Sequence, residues 1–220
     1  MSADAIALAM TGASGAAYGL RLLELLVGAG KTVYLMLSPA AQIVLAQETD
    51  LKVPGTPAEQ ESFFSARYGA RPGQLRAFGP QAWFAPPASG SNAPRAMVVC
   101  PCTSGALSAI AQGASDNLIE RAADVAIKER RQLILVPREM PLSPIHLENM
   151  LKLARIGVTI MAANPGFYHR PQRVEDLVDF VVARILDHLE IEHQLVSRWA
   201  EDRGYKVALI DQSDGEEAGI

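Results

Sequence analysis

The chain has 220 residues, 49% of them hydrophobic and 20% charged, with a formal net charge of −4. This balance describes a globular domain rather than a disordered chain, and an acidic total argues against nucleic-acid binding, which needs a basic surplus. No run approaches the roughly 18 apolar residues of a membrane span.

Residues 6–10 form a short apolar run that reads as a buried strand. The turn Gly12-Ala13-Ser14-Gly15 follows, and a leucine-rich helix runs on to about residue 28. Strand, glycine turn and helix together aim backbone N–H groups at an anion. The glycines let a ligand approach the backbone, and Thr11 and Ser14 offer hydroxyls. The spacing of Gly12, Gly15 and Gly19 does not give the dinucleotide fingerprint G-x-G-x-x-G. Nor is Gly30-Lys31-Thr32 the end of a phosphate loop, because it leads into a strand.

Residues 32–37 predict a second strand, and Ser38-Pro39 then opens a helix to Glu48, with Ser38 as N-cap. Residues 50–94 are rich in Pro and Gly, with one helix over 58–68. They read as an insertion packed on the domain or on a neighbouring subunit. Residues 96–100 predict a third strand, with a turn over 101–105 and Thr103 or Ser104 capping the next helix. Asp116 is expected to cap a helix to about residue 130. A fourth strand over 132–137 ends in the loop Arg138-Glu139-Met140-Pro141, and Ser143-Pro144 starts a helix to residue 155. A fifth strand covers 158–162, a loop 164–171, and a long amphipathic helix about 172–191. Residues 196–220 form a separate tail, loose from 202 onward.

The fold class is therefore α/β: a single domain over residues 1–195, with a parallel sheet covered by helices on both faces. Ligands bind beyond the C-terminal strand ends of such sheets. The unusual residue clusters fall in those loops: 11–15, Ser38, 101–105, 137–141 and 163–170. Thr103, Ser104, Gly105 and Ala106 make a second hydroxyl-glycine turn, and Arg138 offers a bidentate phosphate contact. Glu139 beside it is a candidate acid or base. Arg121 and Lys128 share one helix face, as do Arg173 and Arg184. From residue 121 to 184 there are ten Lys or Arg against seven Asp or Glu, which fits a local pocket for a small anion. Each of these cations read alone is ordinary solvated surface.

The four histidines show no metal spacing, and His188 and His193 read as surface. The acids are not clustered as a magnesium site requires, so an anion site without metal is expected. Cys100 and Cys102 are too close for an ordinary disulfide and lack the second pair of a zinc site. The opening MSADAIALAM has neither the basic flank nor the long apolar core of a secretion signal. A reducing cytoplasm is the expected setting.

The segments TGASGAAYG, SPAA, CPCTSGALSAIAQG, ASDNLIERAADVAIKERRQLILVPREMPLSPIHLENMLKLARIG and ANPGFYHRP resemble the UbiX-type flavin prenyltransferases over residues 5 to about 192. The resemblance implies a flavodoxin-like subunit in a dodecamer that binds FMN. It implies transfer of a dimethylallyl group from dimethylallyl phosphate to reduced FMN, and delivery of the product to a UbiD-type decarboxylase, including that of ubiquinone synthesis. Position by position, the family's FMN contacts fall on Gly12, Ala13, Ser14, Ser38, Thr103, Ser104, Gly105, Ala106 and Arg138. Its dimethylallyl phosphate contacts fall on Tyr168 and Arg184, with Lys128, Arg121 and Glu139 completing the phosphate end. Glu48 matches a further acidic position of the family site. Glu139 and the retained phosphate are the implied proton handlers, and Trp199 is a candidate wall. The chain lacks the early histidine, the PASANT and the PxMNxxMW segments of the flavin-dependent cysteine decarboxylases. A non-enzymatic FMN carrier would not need the cations and Tyr168 beside the flavin.

Overall fold

The computed structural model describes residues 4–196. Its strands are β1 (Ala5–Met10), β2 (Thr32–Leu37), β3 (Leu75–Phe78), β4 (Ala96–Cys102), β5 (Gln132–Pro137) and β6 (Thr159–Ile160). They form one sheet in the order β3-β2-β1-β4-β5-β6, and every pairing is parallel. Helices α1 (Ala16–Gly28), α2 (Pro39–Glu48), α3 (Pro57–Tyr68), α4 (Ser104–Gln112), α5 (Leu118–Lys128), α6 (Pro144–Arg155) and α7 (Val174–His188) make the crossovers and the cover.

Both faces of the sheet are buried, so the central strands are apolar at every position rather than alternating. Alternation shows in size instead. Ile6, Leu8 and Met10 of β1 point into a core with α1, α2, α3 and α7. Ala5, Ala7 and Ala9 point into the core beneath α4, α5 and α6, with Tyr34, Met36 and Met97 filling that layer. Leu22, Leu23 and Leu26 of α1 are fully buried, each contributing roughly 1.5–3 kcal/mol. Arg21 of α1 fixes α7 by a two-pronged bond to Asp179, Nε to Oδ1 at 2.7 Å and Nη2 to Oδ2 at 3.2 Å.

Five boundaries differ from the sequence expectation. The segment 50–94 is part of the sheet, because it supplies β3 as an edge strand beside β2. Buried Gln74 aligns that strand: its Nε2 donates to the carbonyls of Val27 (2.7 Å) and Lys31 (3.2 Å). β4 runs on through Pro101 and Cys102 rather than turning there. The helix after residue 116 is capped by Asn117, not Asp116, with Oδ1 accepting from Ile119 N and Glu120 N. β6 is only two residues long, and α7 is shorter at both ends than 172–191. His193 is not surface: its side chain is 8% exposed, with Nε2 3.1 Å from Asp187 Oδ1.

Candidate active site

From β1 the chain proceeds outward to β2 and β3; from β4 it proceeds the opposite way to β5 and β6. The β1–β4 junction is therefore the switch point of the sheet, where loops diverge and leave a crevice. A cavity of about 450 Å³ lies there, within the usual size range of small-molecule sites. Its lining includes Gly12, Ser38, Phe78, Thr103, Ala106 and Leu118.

Three helices begin at this cavity, and each carries its own cap. Ser38 Oγ accepts from Ala41 N at 3.0 Å, Thr103 Oγ1 from Ala106 N at 3.0 Å, and Asn117 Oδ1 from Ile119 N at 3.0 Å. The Thr103 cap leaves the first N–H groups of α4, at Ser104 and Gly105, without a partner among the described residues. Converging helix N-termini with open N–H groups suit an anion. Beside them Met36, Leu37 and Phe78 give an apolar wall.

Thr11 is not a ligand donor. It is buried, its Oγ1 donates to Pro101 O at 2.9 Å and accepts from Thr103 N at 2.8 Å. It ties the end of β1 to the end of β4 and so fixes both loops. The α1 N-terminus is also not open to an anion. Glu48, at the end of α2, accepts from Gly15 N at 2.9 Å and from Ala16 N at 2.8 Å. Gly15 reaches this arrangement with φ of 111°, a backbone that side chains disfavour. Partial burial works against the Glu48 carboxylate. Hydrogen bonds from Ser14, Gly15 and Ala16, and nearby Arg138, outweigh it and lower its pKa below the ordinary value. Arg138 closes the loop from the other side, Nε donating to Ser14 O at 3.2 Å.

The glycines divide by role. A Cβ on Gly12 would lie 2.4 Å from Ala40 Cβ, so the bare Cα of Gly12 makes room for α2. A Cβ on Gly105 would meet nothing nearer than Thr103 Oγ1 at 3.9 Å, and the space above it is open.

The profile of the Flavoprotein family matches residues 1–186. A Pseudomonas aeruginosa protein, "Flavin prenyltransferase UbiX", is 61% identical over 198 residues, covering 90% of this chain and 95% of its own length. The chain belongs to the UbiX flavin prenyltransferase family. Among solved structures it is similar to AnUbiX (PadA1) "in complex with FMN and dimethylallyl pyrophosphate", 37% identical with a TM-score of 0.78. That match covers 89% of this chain and 97% of the other. It is also similar to a "dodecameric FMN-dependent Ubix-like Decarboxylase" from Escherichia coli O157:H7, 39% identical with a TM-score of 0.77, covering 89% and 98% of the two chains.

The residues expected for a UbiX site fall in three places. Gly12, Ser38, Thr103 and Ala106 line the cavity; Ala13 and Ser14 lie in the turn after β1, and Ser104 and Gly105 are the first residues of α4 rather than part of a turn. Glu48 and Arg138 join that group through Ser14 and Gly15. Glu139 follows Arg138, exposed, its Oε1 accepting from Met140 N at 3.2 Å. Tyr168 and Arg184 form a second group along one face of α7. The Tyr168 ring meets Phe180 edge-on at 5.6 Å, and Arg184 lies one turn beyond Phe180, paired with Asp187 at 2.6 Å. Arg121 and Lys128 form a third group on α5, Arg121 held by Ala88 O at 3.2 Å and Asp124 at 2.9 Å, Lys128 paired with Glu129. The side-chain hydrogen bonds and ion pairs of Arg121, Lys128 and Arg184 run to Ala88, Asp124, Glu129 and Asp187, none of which lines the cavity. Trp199 lies outside the described residues. No described group of three or more His, Cys, Asp or Glu is placed to hold a metal, and no described helix is long and apolar enough to cross a membrane.

Two cavity walls were missed in the sequence: the end of β3 with the turn after it, and the start of α5. The second had a signal. Asn117 followed three residues later by Glu120 is a capping pattern one position after Asp116. The first had none, because β3 shows no apolar run.

Proposed function

We propose that the chain is a flavin prenyltransferase that joins the dimethylallyl group of dimethylallyl phosphate to N5 and C6 of reduced FMN. Its product would serve a UbiD-type decarboxylase, including that of the ubiquinone pathway, in the cytoplasm. The observation that carries this reading is the switch-point cavity bounded by three helix N-termini, in a chain 61% identical to a named flavin prenyltransferase.

The cavity residues fit FMN. The open N–H groups of Ser104 and Gly105 and the hydroxyls of Ser38 and Thr103 suit a phosphate or a ring edge, and the clearance over Gly105 admits a close approach. Met36, Leu37 and Phe78 offer apolar surface to a flat ring. Arg138, Glu48 and Ser14 hold the 12–15 loop in shape. When bound and reduced, FMN supplies the nucleophile that attacks the allylic carbon.

The remaining chemistry belongs to side chains. Arg121, Lys128, Arg184 and Tyr168 would hold the phosphate and stabilise the charge it gains on leaving, the role a metal plays in other prenyl transfers. Glu139, on the strand-end loop, is the candidate for moving a proton during ring closure. These cations would reach the cavity from neighbouring copies in a dodecamer like that of the Escherichia coli relative. That assembly is part of the proposal, and it accounts for exposed apolar side chains such as Phe84, Met140 and Leu147.

The test is anaerobic. Reduced FMN and dimethylallyl phosphate are incubated with the protein and EDTA, then air is admitted and the flavin spectrum and mass are read. A flavin heavier by one C5 unit with a changed spectrum is expected. Unmodified FMN, with tight FMN binding retained, would point to a carrier.

A further inference from the structure

At the opposite end of the sheet from the cavity, an open groove of about 760 Å³ runs between the C-terminal ends of α5, α6 and α7. Its rim is basic: Arg95, Arg130, Arg131, Arg155 and His188, against the single carboxylate of Glu190. Its floor is apolar, with Ile127, Leu133, Ile156 and Val158. Arg95 is already committed, to Leu189 O at 2.8 Å and Glu190 at 3.0 Å. Arg130 and Arg155 have no ion pair or side-chain hydrogen bond among the described residues, and both are exposed. Helix C-termini favour cations, which explains part of this charge. It does not explain why the arginines rim an apolar trough.

The sequence contains a segment of matching chemistry. Residues 207–220, VALIDQSDGEEAGI, hold four carboxylates, Asp211, Asp214, Glu216 and Glu217, and no Lys or Arg. An apolar block, Val207 to Ile210, precedes them. The described chain passes the groove at His188 and Glu190 shortly before residue 196. The fifteen residues from 196 to 211 span up to about 50 Å when extended, far more than a return to the groove requires.

We propose that the acidic segment 207–220 docks in this groove, its carboxylates on Arg130, Arg131 and Arg155 and its apolar block on the Ile127–Val158 floor. The groove is remote from the FMN cavity, so the inference does not depend on the proposed activity.

The test uses the full chain and a glutamyl endopeptidase, with loss of the residues after Glu216 or Glu217 followed by intact mass. At low salt the native chain should be cut about tenfold more slowly than the Arg130→Glu/Arg155→Glu variant. The difference should collapse in about 1 M salt, where the screening length is about 3 Å. Adding Asp211→Lys and Asp214→Lys to the charge-reversed variant should restore slow cutting. Equal rates for native and charge-reversed chains overturn the proposal. So does protection that is lost and not restored by the swap, which would assign the groove to an acidic face of another molecule.

Discussion

The Glu48 carboxylate caps the backbone of Gly15, 33 residues earlier, at 2.9 Å. It also takes the N–H of Ala16, so the end of α2 is locked to the start of α1. The loop over 12–15 is thereby held by its own chain and is preformed for whatever binds above it.

Glu48→Ala should therefore lower stability by about 1 kcal/mol, the solvent-exposed end of the range for a lost cap, and should weaken FMN binding by loosening the loop. The pH dependence has a defined sign. The folded pKa of Glu48 lies below its ordinary value of 4.5, so the folded state holds fewer protons. Its contribution is complete above pH 4.5 and is lost as pH falls through the depressed value. The melting-temperature gap between native protein and Glu48→Ala should be constant near neutrality and close in acid. A gap that widens in acid would contradict the assignment.

Two glycines should separate packing from ligand approach. Gly12→Ala puts a methyl into Ala40, so α2 and Ser38 must shift, at a cost of about 1–3 kcal/mol. Melting temperature and FMN affinity should fall together. Gly105→Ala meets open space within a helix and should leave the melting temperature unchanged or slightly raised. Only FMN affinity should fall there. Titration of both variants with FMN beside thermal melts distinguishes the cases. Full FMN affinity in Gly105→Ala would move the flavin away from the α4 turn.

Why the sequence revealed some of this and not the rest follows from range. β1, β2, β4 and β5 are buried on both faces, so each is a local apolar run and legible alone. β3 is held by Gln74 and by an edge pairing to β2, neither visible in LRAF itself. The glycine turn over residues 12–15 was legible as a backbone feature, whereas residues 103–106, expected as a second such turn, are the N-cap and first residues of α4. The partner of the first was not, because Glu48 and Gly15 meet only once α2 has crossed back over the sheet. Thr11 was read as a donor because its two bonds run to residues 101 and 103.

Cys100 and Cys102 are fully buried under α1 and α4 respectively, and burial raises the pKa of both thiols. A thiolate is the reactive form, so both should be inert in the folded protein. Ellman's reagent at pH 8 should label neither in the native state and both in guanidinium chloride. Rapid native labelling would mean that the end of β4 opens, and with it the cavity wall.

The last prediction concerns the division of the site among subunits. Glu139 follows the β5 end beside Arg138, which touches the cavity loop through Ser14. Arg184 sits on α7, paired with Asp187 and grouped with Tyr168 through Phe180. Under the proposed function both serve one reaction, yet the ion pair of Arg184 runs to Asp187 on its own helix and Arg184 is not among the residues lining the cavity of its own chain. Glu139→Gln should keep FMN binding and slow prenylation by roughly 10²–10⁴. Arg184→Ala should keep FMN binding and weaken dimethylallyl phosphate by roughly ten- to a hundredfold. If neighbouring copies supply Arg184, subunits of the two variants co-assembled in equal amounts should regain activity. Random assembly makes about a quarter of the sites fully native when the two residues come from different chains. When both come from one chain, every site keeps one lesion and nothing is regained. The measurement is single-turnover prenylation of each variant and of the mixed oligomer, at equal flavin loading. Recovery toward a quarter of the native amplitude places the site between subunits; activity no higher than the mean of the two variants confines it to one chain.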